Sequence, residues 1–212
     1  MKLYTFWRSS AAYRVRIALN VKGLRYESLA KRLGGNEHRA ESYLALNPQG
    51  LVPALDDEGF VVGQSLAIIE YLEETHPEPP LLPRAPRARA EVRAMALGIA
   101  CDIHPLNNLR VLNYLKDPLG HDAASVERWY QHWIHEGFRA LEALADRHSA
   151  DRRFLYGSAL SLADVCLVPQ LYNARRFHCD LSAYPALTAI GAALEALPAF
   201  TAARPEAQPD AG

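Results

Sequence analysis

Five prolines, Pro77, Pro79, Pro80, Pro83 and Pro86, fall in the stretch from His76 to Pro86 and constrain this chain more than any other feature. Proline fixes its own φ and lacks the N–H that helices and sheets need, so this stretch is a stiff connector that neither element crosses. The chain therefore reads as two domains, 1–80 and 86–212, joined by a linker over 76–86. Ahead of the linker, short β-prone runs alternate with helical ones. Beyond it, everything reads as helix. With 212 residues, half of them hydrophobic, the chain can bury one large core or two smaller ones.

The first block begins with a β-prone run, Lys2 to Phe6, that turns at Arg8-Ser9-Ser10 into a helix with Val15, Ala18 and Leu19 on one face. Such a corner leaves unpaired N–H groups and the positive end of a helix dipole facing whatever sits there, which favours an anion or a thiolate. A plain N-cap by Ser9 or Ser10 explains the same residues. Gly23 ends the helix and Leu24 to Leu29 reads as a second strand. A polar loop and short helix over 34–46 lead to the turn Asn47-Pro48-Gln49-Gly50. Pro53 stands where the next strand begins, Asp56-Asp57-Glu58-Gly59 makes a hairpin turn, and Phe60 to Val62 is the last strand. A cis Val52-Pro53 bond would turn the Val52 backbone towards a ligand, although trans is the commoner state of an X-Pro bond. Gln64-Ser65 then opens a helix with Ile68, Ile69 and Leu72 inside and Glu70, Glu73 and Glu74 outside. Its first turn is a second anion site or, again, a simple cap.

In the helical block, Val92, Met95, Ala96, Ile99, Ile103 and Leu106 recur at helical spacing and Arg110 continues the stripe. A guanidinium on a buried stripe has to meet a carboxylate or a wet cleft. Pro105 is expected to bend this helix and to expose Asp102, His104, Asn108 and Arg110 as a site wall, or only to wrap the core. Ser125 to Arg147 is a long helix with Val126, Trp129, Trp133, Leu141 and Leu144 as its core residues. Leu160-Ser161-Leu162-Ala163-Asp164-Val165 carries a capping pair, Ser161 and Asp164, and a Leu160 staple, and the helix runs to Asn173-Ala174-Arg175-Arg176-Phe177. Tyr184 to Leu197 is a final helix, and the last dozen residues read as a loose tail.

Charge and composition narrow the function. Net charge is −1, which gives no overall field for nucleic acid or an anionic membrane. Residues 1–40 carry nine Lys or Arg and two acids, whereas 41–80 carry eight acids and no Lys or Arg, so the Ser corner lies in basic sequence. Cys101, Cys166 and Cys179 are too scattered for a disulfide framework, and no histidine spacing suggests a metal site. No run is long and apolar enough for a signal peptide or a membrane span, which points to a cytoplasmic protein.

A small α/β unit with Pro at a strand start, a Pro-rich linker, a helical second half and a Ser-Leu-Ala-Asp helix start resembles the glutathione transferase family. Arg8-Ser9-Ser10 leading into Arg14-Val15-Arg16-Ile17-Ala18-Leu19, with Asn47-Pro48, Val52-Pro53, Gln64-Ser65 and Asn173 to Phe177, resembles its zeta class over nearly the whole chain. The resemblance implies a thioredoxin-like N-terminal domain followed by an all-helical C-terminal domain. It also implies glutathione as cofactor, a homodimer, and isomerisation of maleylacetoacetate or maleylpyruvate in aromatic catabolism. Ser9 and Ser10 would hold the glutathione sulfur, and Val52 its cysteinyl backbone through a cis Pro53. Gln64 and Ser65 would take its γ-glutamyl end and His38 its glycyl end, with Asp102 and His104 contributing from the second domain. Arg8, Asn108, Arg110 and Arg176 would meet the substrate, Arg8 and Arg176 catalytically.

One departure stands out. The class usually continues Ser-Ser-Cys with an aromatic two residues later, commonly Trp, but here Ala11 and Tyr13 occupy those places. Maleylpyruvate isomerases similar to this chain also lack the cysteine. The rival expectations are a transferase that conjugates small electrophiles to glutathione and a non-catalytic interaction module of the same fold.

Overall fold

Four short strands make the only sheet among residues 1–211, which the computed structural model describes. They are β1 (Lys2–Thr5), β2 (Glu27–Ala30), β3 (Ala54–Asp57) and β4 (Phe60–Gly63), in the order β2-β1-β3-β4. β1 and β2 are parallel, as the intervening crossover helix α1 (Ser10–Val21) allows, and the other pairs are antiparallel. The second strand begins only at Glu27, later than the apolar run from Leu24 suggests, and a short helix, α2 (Glu41–Leu44), leads on to β3. β3 and β4 are joined by Glu58 and Gly59, both at positive φ (54° and 94°), the two-residue turn whose twist suits a hairpin. Asp56 Oδ1 accepts the Gly59 N–H at 2.8 Å. The Val52-Pro53 bond is cis, the less common alternative.

The sheet belongs to a unit formed by Met1–Pro80 together with the chain from Ala196 onward; Leu81–Glu195 forms a second unit. In the first, α1 packs against α3 (Ser65–Thr75) and also against α9 (Pro198–Ala203), so Ala12 through Leu19 are all buried. A helix covered on more than one side loses its polar face, and here that places Arg14 and Arg16 inside, at 1 % and 0 % exposure. Ile68, Ile69 and Leu72 of α3 are buried as expected. Glu73 differs from expectation: it is buried, and its carboxylate receives the Lys22 Nζ at 2.8 Å. The ammonium also donates to the carbonyls of His76 and Pro79, at 2.7 and 3.1 Å, so the ion pair is hydrogen-bonded as burial demands. The supposed loose tail is likewise packed over residues 201–211, where Ala203, Pro205 and Gln208 are buried. Phe200 and Ala203 are fully buried, and α9 is followed by a 3-10 turn, Pro205–Ala207.

The second unit starts with α4 (Pro86–Leu97), with Pro86 at its first position, where a missing N–H costs nothing. A π-helical turn over Gly98–Ile103 follows and closes through His104 N–H to the Ile99 carbonyl at 3.0 Å. Pro105 ends this helix rather than bending it, and α5 (Leu109–Lys116) is a separate helix with no buried residue. Arg110 is therefore exposed and does not continue the buried stripe.

α6 (Ala123–His148) buries Tyr130, Ile134, Phe138, Leu141 and Ala145, while Trp129 and Trp133, expected in the core, are only half-buried. α7 (Leu162–Arg176) is buried without a gap from Leu162 to Leu171, and α8 (Pro185–Glu195) packs against both α6 and α7. Two glycines permit these close approaches. A Cβ on Gly137 would lie 2.2 Å from Ile103 Cδ1, and one on Gly191 would lie 2.4 Å from Leu171 Cδ1. Among the described residues no helix is long and apolar enough to cross a membrane.

Candidate active site

The register of the first sheet decides which loops meet. β1 ends at Thr5, β3 begins beside it because Ala54 pairs with Tyr4, and β4 ends there because Gly63 pairs with Ala54. β2 ends at the same level, with Ala30 beside Thr5. The corner Arg8-Ser9-Ser10, the Val52-Pro53 bond, the Gln64-Ser65 helix start and the segment leading to His38 therefore all leave one end of one sheet. Gly50, at φ +58°, closes the arrangement: a Cβ there would lie 2.9 Å from the His38 carbonyl and 2.9 Å from Leu44 Cδ2.

Ser9 is the N-cap of α1, with its Oγ accepting the Ala12 N–H at 3.2 Å. The capping explanation is thus correct for Ser9, but it uses only an acceptor. A hydroxyl has one donor and two lone pairs, so the Ser9 O–H is still available to an anion in front of the helix. Ser10, the first helical residue, is 7 % exposed. Arg8, immediately ahead, is exposed with its guanidinium carbon 5.0 Å from the Trp7 ring centroid. A positive helix end, serine hydroxyls and an adjacent guanidinium together lower the pKa of a thiol placed among them from its ordinary value of about 8.5.

At α3, Gln64 rather than Ser65 holds the cap position, and no side-chain cap bond forms. Gln64 sits at φ 67°, ψ 115°, a conformation non-glycine residues seldom hold without surrounding support. Its Nε2 donates to Gln49 Oε1 at 2.7 Å. Ser65 Oγ accepts from Arg14 Nη1 at 3.3 Å, so this hydroxyl too keeps its proton for a ligand. His38 lies on the 3-10 turn Glu37–Arg39, and burial followed by the charge of Arg39 lowers its pKa, favouring the neutral imidazole. Its Nδ1 is buried with no hydrogen-bond partner among the described residues.

In the helical unit, Asp102 is exposed on the π turn, and His104, half-buried, follows it. Asn108 is a helix cap: its Oδ1 accepts the Arg110 N–H at 3.1 Å. One turn of α6 holds this stretch, because Trp129 Nε1 donates to the Leu106 carbonyl (2.9 Å) and Asn107 Nδ2 to the Tyr130 carbonyl (3.0 Å). The same turn also holds the end of α7. Tyr130 stacks on Phe177 at 3.5 Å and 12°, and Gln131 Nε2 donates to the Phe177 carbonyl at 2.9 Å. Arg176 is exposed there, 4.7 Å from the Phe177 centroid, and its charge opposes the upward push that burial exerts on the Tyr130 hydroxyl. Asp102, His104, Asn108, Arg110 and Arg176 thus flank a shared anchor. Sequence reading missed Arg14, Arg16 and Gln49, although two arginines among Val15, Ile17 and Ala18 were a visible sign of buried charge.

Residues 3–80 match the glutathione S-transferase N-terminal domain family, and residues 123–202 match its C-terminal domain family. A probable maleylacetoacetate isomerase of Vibrio cholerae is 56 % identical over 212 residues, covering 99 % of this chain and 97 % of the relative. Among solved structures, the holo form of a maleylpyruvate isomerase, described as a bacterial zeta-class glutathione S-transferase, is 50 % identical. It superposes with a TM-score of 0.98 over 100 % of both chains. A maleylacetoacetate isomerase of Methylobacterium extorquens, solved with bound malonate and glutathione, is 41 % identical with a TM-score of 0.96, again over 100 % of both chains.

Proposed function

Because this chain belongs to the glutathione S-transferase family, in its zeta class, we propose that it is a glutathione-dependent cis–trans isomerase of a maleyl diketo acid, either maleylacetoacetate or maleylpyruvate. The observation that carries this reading is the meeting of the Ser9 corner, Val52-Pro53 and Gln64-Ser65 at one end of the sheet. The donors present fit the tripeptide: two hydroxyls keep a proton to give, and a helix start faces where an anion would lie.

Glutathione, when bound, supplies a thiolate that adds to the conjugated double bond and leaves again once that bond, now single, has rotated. The chain's part is electrostatic. Ser9 and Ser10 at the head of α1 keep the sulfur ionised, and Gln64 and Ser65 hold the γ-glutamyl end. Val52 takes the cysteinyl backbone, while His38 attends the glycyl end. Asp102 and His104 are assigned to the cofactor from the helical unit. Arg8 and Arg176 meet the enolate oxygen and the terminal carboxylates, with Arg110 as a further cation and Asn108, occupied as a cap, offering its amide N–H groups. The serine hydroxyls and these cations oppose negative charge where the reaction develops it. Ala11, in place of the usual cysteine, leaves the tripeptide as the only thiol the reaction needs at this corner.

The test is turnover of maleylpyruvate, maleylacetoacetate and a chlorinated aromatic by the purified protein, each with and without glutathione. The reading expects isomerisation of at least one maleyl acid only when glutathione is present, well above any conjugation. Isomerisation undiminished without glutathione overturns it. So does conjugation with no isomerase activity, which favours the transferase alternative, or failure to bind glutathione at all. The same reading carries a cytoplasmic homodimer, for which the expected sedimenting mass is twice the 23.6 kDa chain.

A further inference from the structure

The corner that carries Arg8 and Ser9 is not held by its own neighbours alone. Between Thr5 and Ser9 the backbone leaves the sheet, so its polar groups need partners other than strands. Two charged side chains supply them. Arg16, fully buried, donates from Nη2 to the Trp7 carbonyl (2.9 Å) and from Nη1 to Thr5 Oγ1 (3.1 Å) and the Phe6 carbonyl (3.4 Å). Its Nε donates to the Ala203 carbonyl at 3.1 Å. From the other end of the chain, Asp210 Oδ2 accepts the Trp7 N–H at 2.9 Å, across 203 residues of sequence. Asn20 Nδ2, on α1, also donates to the Ala199 carbonyl at 3.0 Å, and Gln208 Nε2 donates within the segment to the carbonyls of Ala202 and Arg204.

We propose that the carboxyl-terminal segment, acting through Asp210 and through Arg16, is a positioning element for the thiolate-binding corner. The inference rests on the assignment of that corner to the glutathione sulfur. Asp210 touches neither cofactor nor substrate. It fixes the peptide one residue ahead of Arg8, and Arg16 fixes the carbonyls on either side of that peptide's N–H. Burial pushes the Arg16 guanidinium down to about 10, with Tyr26 and Asp210 opposing, so it remains charged at neutral pH. Asp210 therefore faces a permanent cation, and its Oδ1 is buried without a hydrogen-bond partner among the described residues.

Asp210→Ala and Asp210→Asn separate positioning from bulk stability. The readouts are exchange of the Trp7 amide in the free protein, the pKa of the bound glutathione thiol from thiolate absorbance, kcat, and glutathione affinity. Asp210→Ala is expected to speed Trp7 amide exchange, to raise the bound thiol pKa by about one unit and to lower kcat about tenfold, while glutathione affinity changes by less than about threefold. Asp210→Asn, which keeps an acceptor, should recover most of the exchange protection and of kcat. A folded Asp210→Ala protein with wild-type thiol pKa and kcat overturns the inference. So does equal damage by Asn and Ala accompanied by an equal loss of thermal stability. If Asp210→Ala fails to fold, Asp210→Ser, whose hydroxyl is too short to accept the Trp7 N–H, decides in its place, and a wild-type thiol pKa and kcat in that variant overturn the inference. The two readings fail separately: wild-type protein that does not lower the glutathione thiol pKa refutes the corner assignment itself.

Discussion

Replacing Asp164 tests how far one buried carboxylate holds the second unit together. Asp164 is fully buried at the start of α7, where Oδ2 accepts both the N–H and the Oγ–H of Ser161 at 2.8 Å and Oδ1 accepts the Leu155 N–H at 2.7 Å. Burial outweighs these bonds and pushes the carboxyl up to about 6, from an ordinary 3.8. Asp164→Ala leaves two buried backbone N–H groups without acceptors, each costing about 1–3 kcal/mol, so a loss of about 3–5 kcal/mol is expected. For a chain this long that lowers Tm by roughly 10 °C.

The pH dependence follows from the sign of the shift. A folded-state value above the unfolded one adds stability that is complete below pH 3.8 and lost as pH rises through about 6. The amount is about 3 kcal/mol for a shift of about two units. Asp164→Asn cannot titrate, so urea unfolding of wild type and variant between pH 4 and 7 should show the wild-type advantage shrinking by that amount. A constant difference across this range, or a loss below about 1 kcal/mol in Asp164→Ala, refutes the reasoning.

Other perturbations probe the site and its supports. Arg8→Ala and Arg176→Ala should each lower kcat/KM for the maleyl substrate about a hundredfold while glutathione affinity by calorimetry stays within about threefold. Ser65→Ala should do the reverse, weakening glutathione about tenfold with a smaller effect on kcat at saturation, since it removes the hydroxyl proposed to hold the γ-glutamyl end. Gly137→Ala should cost about 1–3 kcal/mol in chemical denaturation, because its Cβ would lie 2.2 Å from Ile103 Cδ1 and that fully buried side chain must move. Lys22→Ala should cost about 3–5 kcal/mol in the same assay by removing the ammonium that the buried Glu73 carboxylate meets.

Local features were legible in the sequence. The strand, corner and helix around Ser9 follow from alternation giving way to a cap and a helical period, and the Ser161/Asp164 helix start follows from one spacing. The hairpin was equally plain, since Glu58-Gly59 can sit at positive φ between two apolar runs. What escaped depends on partners distant along the chain. Glu73 looked solvent-facing because Lys22, 51 residues away, is what allows its burial. The stripe ending in Arg110 was broken by a π turn, which shifts the helical phase by one residue and which apolar spacing does not announce. The same limit applies to α6, where the buried face falls on Tyr130 and Ile134 rather than on the larger indoles. At the site, Ser9, Gln64 and Ser65 were visible as helix starts. Arg14 and Gln49, which orient two of them, were not, because each acts across elements.

The way the chain leaves and re-enters its first unit bears on how the protein can be made. All of Leu81–Glu195 is translated before the segment that covers α1, so a nascent first half waits at the ribosome with the Arg16 guanidinium lacking its Ala203 carbonyl. Severing the polypeptide at the proline connector would release an amino-terminal fragment without that cover, prone to aggregate or to be degraded.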